Sequence, residues 1–236
     1  MNYVSFSLWG DNPKYTFGAV RNAQLCGQIY PNWKMIVFVH VGVPRTVVKQ
    51  LRDFDACTIL VDEAPNWQGM FWRFRAVNLV NCNRVIFRDT DSRVTLREAK
   101  AVDVWLSSGK SFHIMRDHPA HNAPIQGGMW GVQGLNGLKL VSSKLALANE
   151  NRDEWGIDQQ FLAKEVYPFA KSDACVHDEF FENKAFPDLR RGQEFIGEVF
   201  DEQDKPRLSD RNAIAAWQII NKFPSVKARL SVPQYF

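Results

Sequence analysis

In the stretch Arg84-Val85-Ile86-Phe87-Arg88-Asp89-Thr90-Asp91-Ser92-Arg93, a short apolar run ends in two carboxylates separated by one residue. Val85, Ile86 and Phe87 combine β-branching with an aromatic ring, the composition of a buried strand, and the polar residues after them end it. A helical pattern over residues 69–80 precedes this strand and another over 96–106 follows it. The same alternation extends in both directions along the chain.

Upstream, residues 3–8 form a β-rich run closed by the turn residues Trp9-Gly10-Asp11-Asn12-Pro13. Phe17, Val20, Leu25 and Ile29 then recur at helical spacing over 15–30, and Pro31 and Asn32 end that helix. Residues 35–39 are continuously apolar, as a strand covered on both faces requires. Pro44 opens a helix carrying Val47, Val48 and Leu51, since proline in a first turn gives up no hydrogen bond. Residues 57–61 read as a third strand, and 111–115 as a later one after the break at Gly109. This rhythm predicts an α/β fold with a mainly parallel central sheet flanked by helices. Ligands of such sheets gather beyond the carboxyl ends of the strands, here at loops 8–12, 61–67 and 88–93.

The second half is less regular. Residues 118–131, rich in His, Pro and Gly, read as a loop; 136–148 and 157–166 read as helices; beyond Tyr167 only 211–221 has a clear helical pattern. The stretch 192–206 suggests no mechanism. No repeat divides the 236 residues, a length that suits one domain.

Composition narrows the function classes. Hydrophobic residues at 45% and charged residues at 23% exclude a disordered chain. A net charge of +3 spread over this length lacks the concentrated basic stripe of a nucleic-acid binder. The longest apolar runs are too short to span a bilayer, and the first residues show no basic region followed by an apolar stretch, so a cytoplasmic location is expected. Cys26, Cys57, Cys82 and Cys175 form no CxxC pair, which predicts buried thiols rather than a zinc site or a disulfide framework.

Asp89 and Asp91 repel each other unless they share a proton, lean on cations or bind a divalent metal through their hard oxygens. Arg88 and Arg93 are the cations nearest in sequence. A calcium loop is excluded, because it needs an oxygen ligand where Arg93 stands and glycine where Val94 stands. A phosphatase of the haloacid-dehalogenase type, with Asp89 as nucleophile and Asp91 as acid, is weakened by Arg93, where such enzymes carry Thr or Val.

The helix, strand and acidic pair from Phe71 through Arg73 to Asp91 resemble those of GT-A-fold glycosyltransferases, most closely the retaining galactosyltransferase and glycogenin group. Three further segments agree in order: Trp9-Gly10-Asp11-Asn12 with Tyr15, then Gly127-Gly128, then Gly156-Ile157-Asp158-Gln159. The resemblance implies a single GT-A-like domain over 1–236. Residues 1–115 form a Rossmann-like half for the nucleotide sugar, and 116–236 the acceptor side and a C-terminal extension. It also implies a nucleotide-sugar donor, UDP-sugar first among them, an acceptor of unknown identity, and Mn²⁺ or Mg²⁺ held by Asp89 and Asp91 against the diphosphate.

The other roles follow from the same resemblance. Leu8, Trp9, Gly10, Asp11 and Asn12 would hold the base and ribose, with Asp62 as a further candidate. Arg73, Arg88 and Thr90 would reach the sugar and phosphates, although Arg88 could instead pair with Asp91. Gly127 and Gly128 would let backbone approach a sugar, with Trp130 as a stacking face or a core residue. Asp158 and Gln159 would be the catalytic pair, Asp158 serving equally well as a helix-terminal acid. His177 would be the third metal ligand, with His118 and His121 as rivals. Tyr15, Trp67 and Trp72 read as packing residues. The expected function is metal-dependent glycosyl transfer; the alternatives are the phosphatase and a GT-A-fold carbohydrate-binding protein without turnover.

Overall fold

The structure, a computed structural model, describes residues 1–148 and 153–222. The first half realises the alternation read from the sequence: β1 Asn2–Leu8, α1 Pro13–Ile29, β2 Lys34–His40, α2 Arg45–Asp53, β3 Cys57–Val61, a 3-10 helix Trp67–Asn78, β4 Arg84–Phe87, α3 Leu96–Ser108 and β5 Phe112–Arg116. β6 Trp130–Gln133 and α4 Gly134–Leu147 follow. α5 Ile157–Phe161 continues through a π-helical turn, Leu162–Val166, into α6 Tyr167–Ala170; then come β7 Ala174–Asp178 and α7 Leu208–Lys222.

Seven strands form one sheet in the order β3-β2-β1-β4-β6-β5-β7. All neighbours are parallel except β6, which runs antiparallel to β4 and to β5. Side chains alternate across β1, so Val4, Phe6 and Leu8 face one layer and Tyr3, Ser5 and Ser7 the other. The first layer packs on α1 and α3 through residues such as Ala19, Ala23 and Trp105. The second packs on the 3-10 helix and the α5 region through Trp72, Phe74, Phe87, Trp130 and Phe161. Trp130 and Trp72 are thus core residues, and the sugar-stacking role considered for Trp130 is withdrawn.

Four expectations need correction. The helix over 69–80 is a 3-10 helix, tighter than the α-helix its spacing suggested. β6 begins inside the segment read as a loop, at Trp130, and β7 lies inside the segment read as aperiodic. Of the cysteines only Cys26 is buried; Cys57 is exposed on the edge strand β3 and the other two are half-buried. Among the described residues no helix is long and apolar enough to cross a membrane.

Two local devices aim the binding loops. Asn12 caps α1 by accepting the Lys14 N–H at 3.0 Å, with Pro13 in the first turn, so the chain turns sharply after β1 and presents Lys14 beside the strand ends. Thr95 caps α3 through the Glu98 N–H at 3.1 Å. The Glu98 carboxylate is then free to reach Arg88 Nε at 2.6 Å and to accept the Tyr30 hydroxyl at 2.8 Å.

Candidate active site

Beyond the carboxyl ends of β1 and β4 lies a cleft of about 700 Å³ lined by Leu8, Trp9, Gly10, Asp11, Asn12, Lys14, Arg73, Asp89, Thr90 and Asp91. Tyr15 and Trp67, read from sequence as packing residues, line it as well. Trp9 stands edge-on to Trp67 and to Trp72, with centroids 6.4 and 5.9 Å away, so one wall is aromatic.

Arg73 organises the floor. Ser7 Oγ accepts its backbone N–H at 2.8 Å and Ser5 Oγ donates to its carbonyl at 2.7 Å, so both serines of β1 grip the 3-10 helix at this residue. Its guanidinium, in a residue only 3% exposed, reaches Asp89 through Nη1 and Asp158 through Nη2, the latter at 2.5 Å. Burial opposes the charge on Arg73, and the two carboxylates more than offset that opposition, so its pKa is raised. Burial, only partly countered by Arg73, holds the Asp158 carboxyl above the usual carboxylate range.

Asp91 is paired with Lys14, Oδ2 to Nζ at 2.6 Å. Its carboxyl is raised first by burial and then by the negative charge of Asp89, with Lys14 opposing both. Lys14 also sits in the first turn of α1, where a cation opposes the helix dipole, and Asp91 supplies the missing anion.

Gly127 and Gly128 lie beneath the acidic groups rather than in the cleft. A Cβ on Gly127 would stand 2.1 Å from Asp158 Oδ2, and one on Gly128 would stand 2.0 Å from Asp89 Oδ2. Their backbone therefore serves as the seat of the two carboxylates. Asp158 is likewise fully buried behind Arg73, while Gln159, whose N–H donates to Asp158 Oδ1 at 2.9 Å, lines the cleft.

Three candidates lie elsewhere. Arg88 is 1% exposed, points to the α1/α3 side and bonds Glu98 through Nε and main-chain carbonyls through Nη1, so it touches neither the cleft nor Asp91. Asp62 is exposed after the edge strand β3, outside the cleft lining. His177 is buried on β7, Nδ1 against His113 Nε2 at 2.9 Å and stacked on Phe186. β7 is three strands from β4, about 14 Å at roughly 4.8 Å per strand, which takes the imidazole away from Asp89 and Asp91. His118 is also engaged at both nitrogens, with the Ala120 N–H and the Asp210 carbonyl.

Burial, then Arg97, depress His177 to about 4, and burial, then His177, hold His113 well below the ordinary histidine value. Both rings are therefore neutral in the fold and take up protons near the ordinary histidine range, about 6.5, only when unfolded. Their stabilising contribution is complete above that range and is lost as pH falls toward about 4 for His177. Imidazole ¹H–¹⁵N spectra should show His177 still neutral at about pH 5.5, and a midpoint near that of free histidine would contradict the burial described.

Among the described residues no three His, Cys, Asp or Glu side chains come together as a metal cage. Mg²⁺-type ions nonetheless suit one or two protein carboxylates completed by water and phosphate oxygens. Asp89 and Asp91, both cleft-lining and mutually repelling, have the donor chemistry for such a partial site. Lys14, Ser5, Ser7 and Arg207 were not singled out from sequence. The two serines carried a signal, being polar residues at alternate positions of an otherwise apolar strand.

Neither protein-family models nor curated proteins match the chain. Among solved structures, S. aureus TarS 1–349 matches at a TM-score of 0.53 and 11% identity, covering 79% of this chain and 59% of TarS. A glycosyltransferase involved in the glycosylation of the major capsid of PBCV-1 matches at 0.49 and 14% identity, covering 75% of this chain and 81% of its own. The galactosyltransferase LgtC, in complex with donor and acceptor sugar analogs, matches at 0.47 and 13%, covering 76% and 74%. The likeness to TarS is one of fold, and it agrees with the seven-stranded, mainly parallel sheet: the chain has the GT-A glycosyltransferase fold.

Proposed function

We propose that this protein is a glycosyltransferase. It moves a sugar from a nucleoside-diphosphate donor, a UDP-sugar first among them, to a hydroxyl acceptor. The observation that carries this reading is the paired charge array Lys14–Asp91 and Arg73–Asp89–Asp158 on the floor of a cleft with an aromatic wall, beyond the carboxyl ends of β1 and β4. In this reading residues 1–236 act as one domain, with 1–115 holding the donor.

Transfer breaks the bond between the anomeric carbon and a diphosphate oxygen, whose electron pair leaves with the phosphate. The acceptor oxygen supplies the pair for the new bond, and its proton passes to the released diphosphate. Charge therefore develops on the leaving phosphate, where fixed cations lower the barrier most. Lys14 and Arg73 supply such cations from rigid elements. Asp89 and Asp91 would hold Mn²⁺ or Mg²⁺, which supplies further charge stabilisation at the diphosphate when bound. Trp9, Trp67 and Tyr15 offer flat faces to the base, and Gln159 offers amide hydrogen bonds to the moving sugar. Asp158 is a positioning residue that acts through Arg73.

The test is a thermal-shift and calorimetric screen of nucleoside diphosphates with and without Mn²⁺. A bound ligand at about 100 times its dissociation constant stabilises by about 2.7 kcal/mol, and a flat response to every nucleotide sinks the proposal. Asp91→Asn should keep the fold, since it removes a carboxylate that burial and Asp89 disfavour, yet lower turnover by about 10²–10³. Released nucleoside diphosphate measures that loss.

A further inference from the structure

A second cavity, of about 430 Å³, opens beside the donor cleft. His121, Trp155, Gln159, Val199 and Arg207 line both spaces, so the two meet at these residues. Val199 belongs to the C-terminal stretch that had no reading from sequence, and Arg207 directly follows that stretch. Phe200 and Pro206 form an isolated antiparallel bridge, and Arg207 N–H donates to the Val199 carbonyl at 2.9 Å. This hairpin is latched to the acidic loop by Phe200 N–H on the Asp91 carbonyl at 2.8 Å and by Arg93 Nε on Asp204 at 2.7 Å.

The chemistry of the cavity is that of a neutral, hydroxyl-rich ligand. Its lining carries one cation and one anion, Arg207 and Asp210, with Arg207 Nε 2.8 Å from Asp210 Oδ2, so the cavity has no net charge with which to select a phosphate or a carboxylate. Asn122, Gln126 and Gln159 supply amides that both donate and accept, as vicinal hydroxyls require. His121 Nδ1 accepts the Asp117 N–H at 3.2 Å, which places the ring proton on Nε2, and Nε2 has no hydrogen-bond partner among the described residues. Trp155 is 70% exposed at the junction, an indole face left to water unless a ligand covers it. A pyranose has the matching shape, with C–H groups on one face and hydroxyls around its edge.

We propose that this second cavity is the acceptor subsite and that it takes the terminal pyranose of a neutral glycan, seated on Trp155 with one hydroxyl turned toward the donor cleft between His121 and Gln159. The inference rests on the donor reading of the first cleft. Ala120 lines the second cavity alone and is exposed, so Ala120→Trp plugs it without disturbing the core or the donor cleft.

The experiment is saturation-transfer NMR on the full chain with methyl glucopyranoside, methyl galactopyranoside, maltose and lactose at about 10 mM, beside calorimetry of nucleoside diphosphates on the same samples. At least one pyranoside should receive saturation, and Trp155→Ala and Ala120→Trp should each weaken its binding about tenfold while Ala120→Trp leaves the nucleotide affinity within about twofold. Nucleotide binding with no pyranoside response overturns the acceptor assignment and spares the donor reading. Pyranoside binding that survives Ala120→Trp also overturns it, by placing the sugar elsewhere. Pyranoside binding with no nucleotide response removes the donor reading, and the acceptor role with it.

Discussion

Arg73→Met is expected to lower the unfolding free energy by about 3–5 kcal/mol at pH 7 and to abolish measurable transfer. The reason is a fully buried Asp158 carboxylate whose only cationic partner among the described residues is removed, beside an Asp89 that loses its pairing with Arg73 at the same time. The loss should depend on pH. Burial already raises the Asp158 pKa and Arg73 restrains that rise, so without Arg73 it climbs further. A carboxyl whose folded pKa lies above its unfolded value favours the fold at low pH and penalises it as pH rises through the folded pKa. The gap between variant and wild type should therefore shrink as pH falls from neutrality toward the ordinary carboxylate range, about 4, read by urea unfolding along that range. Arg73→Met with Asp158→Asn should recover most of the stability, because an uncharged pair leaves no unmatched buried charge, and should recover none of the activity. A pH-independent gap, or a double variant no better than the single, would remove Asp158 as the source.

Gly128→Ala is expected to lower turnover by about 10²–10³ and stability by about 1–3 kcal/mol. The added methyl group would meet Asp89 Oδ2 at 2.0 Å, Cγ at 2.5 Å and the Asp89 main-chain nitrogen at 3.0 Å. The carboxyl must swing away, and the ion pair with Arg73 breaks. This predicts non-additivity: in Asp89→Ala, where the closest clashing atoms are gone, Gly128→Ala should cost much less than in wild type. Equal costs in the two backgrounds would show that the glycine serves backbone geometry and not the seating of Asp89.

Most of the first half was legible because β2 and β4 are buried on both faces, which forces continuous apolar runs, and because Pro44 marks a helix start. β6 was not, since Trp130-Gly131-Val132-Gln133 is short and preceded by the glycines that seat Asp89 and Asp158, a composition that reads as a turn. β7 was hidden by brevity and by His177 and Asp178, polar residues that only their buried partners allow in a strand. Arg88 was misread for a related reason. It follows an apolar strand and precedes an acid, so its charge seemed to belong to the loop, whereas alternation along the strand turns it to the opposite face, onto Glu98.

The order of residues along the chain by itself determined the α/β rhythm, the acidic pair at a strand's carboxyl end and the fold that both imply, because hydrophobic period and turn chemistry act between near neighbours. Which cation meets which carboxylate was decided only by the tertiary structure. Lys14 meets Asp91 across 2.6 Å, Arg73 links Asp89 with Asp158, and His177 is carried to the far side of the sheet. Those encounters join residues tens of positions apart, and electrostatic pairing depends on distance in space, which strand order sets and local sequence does not.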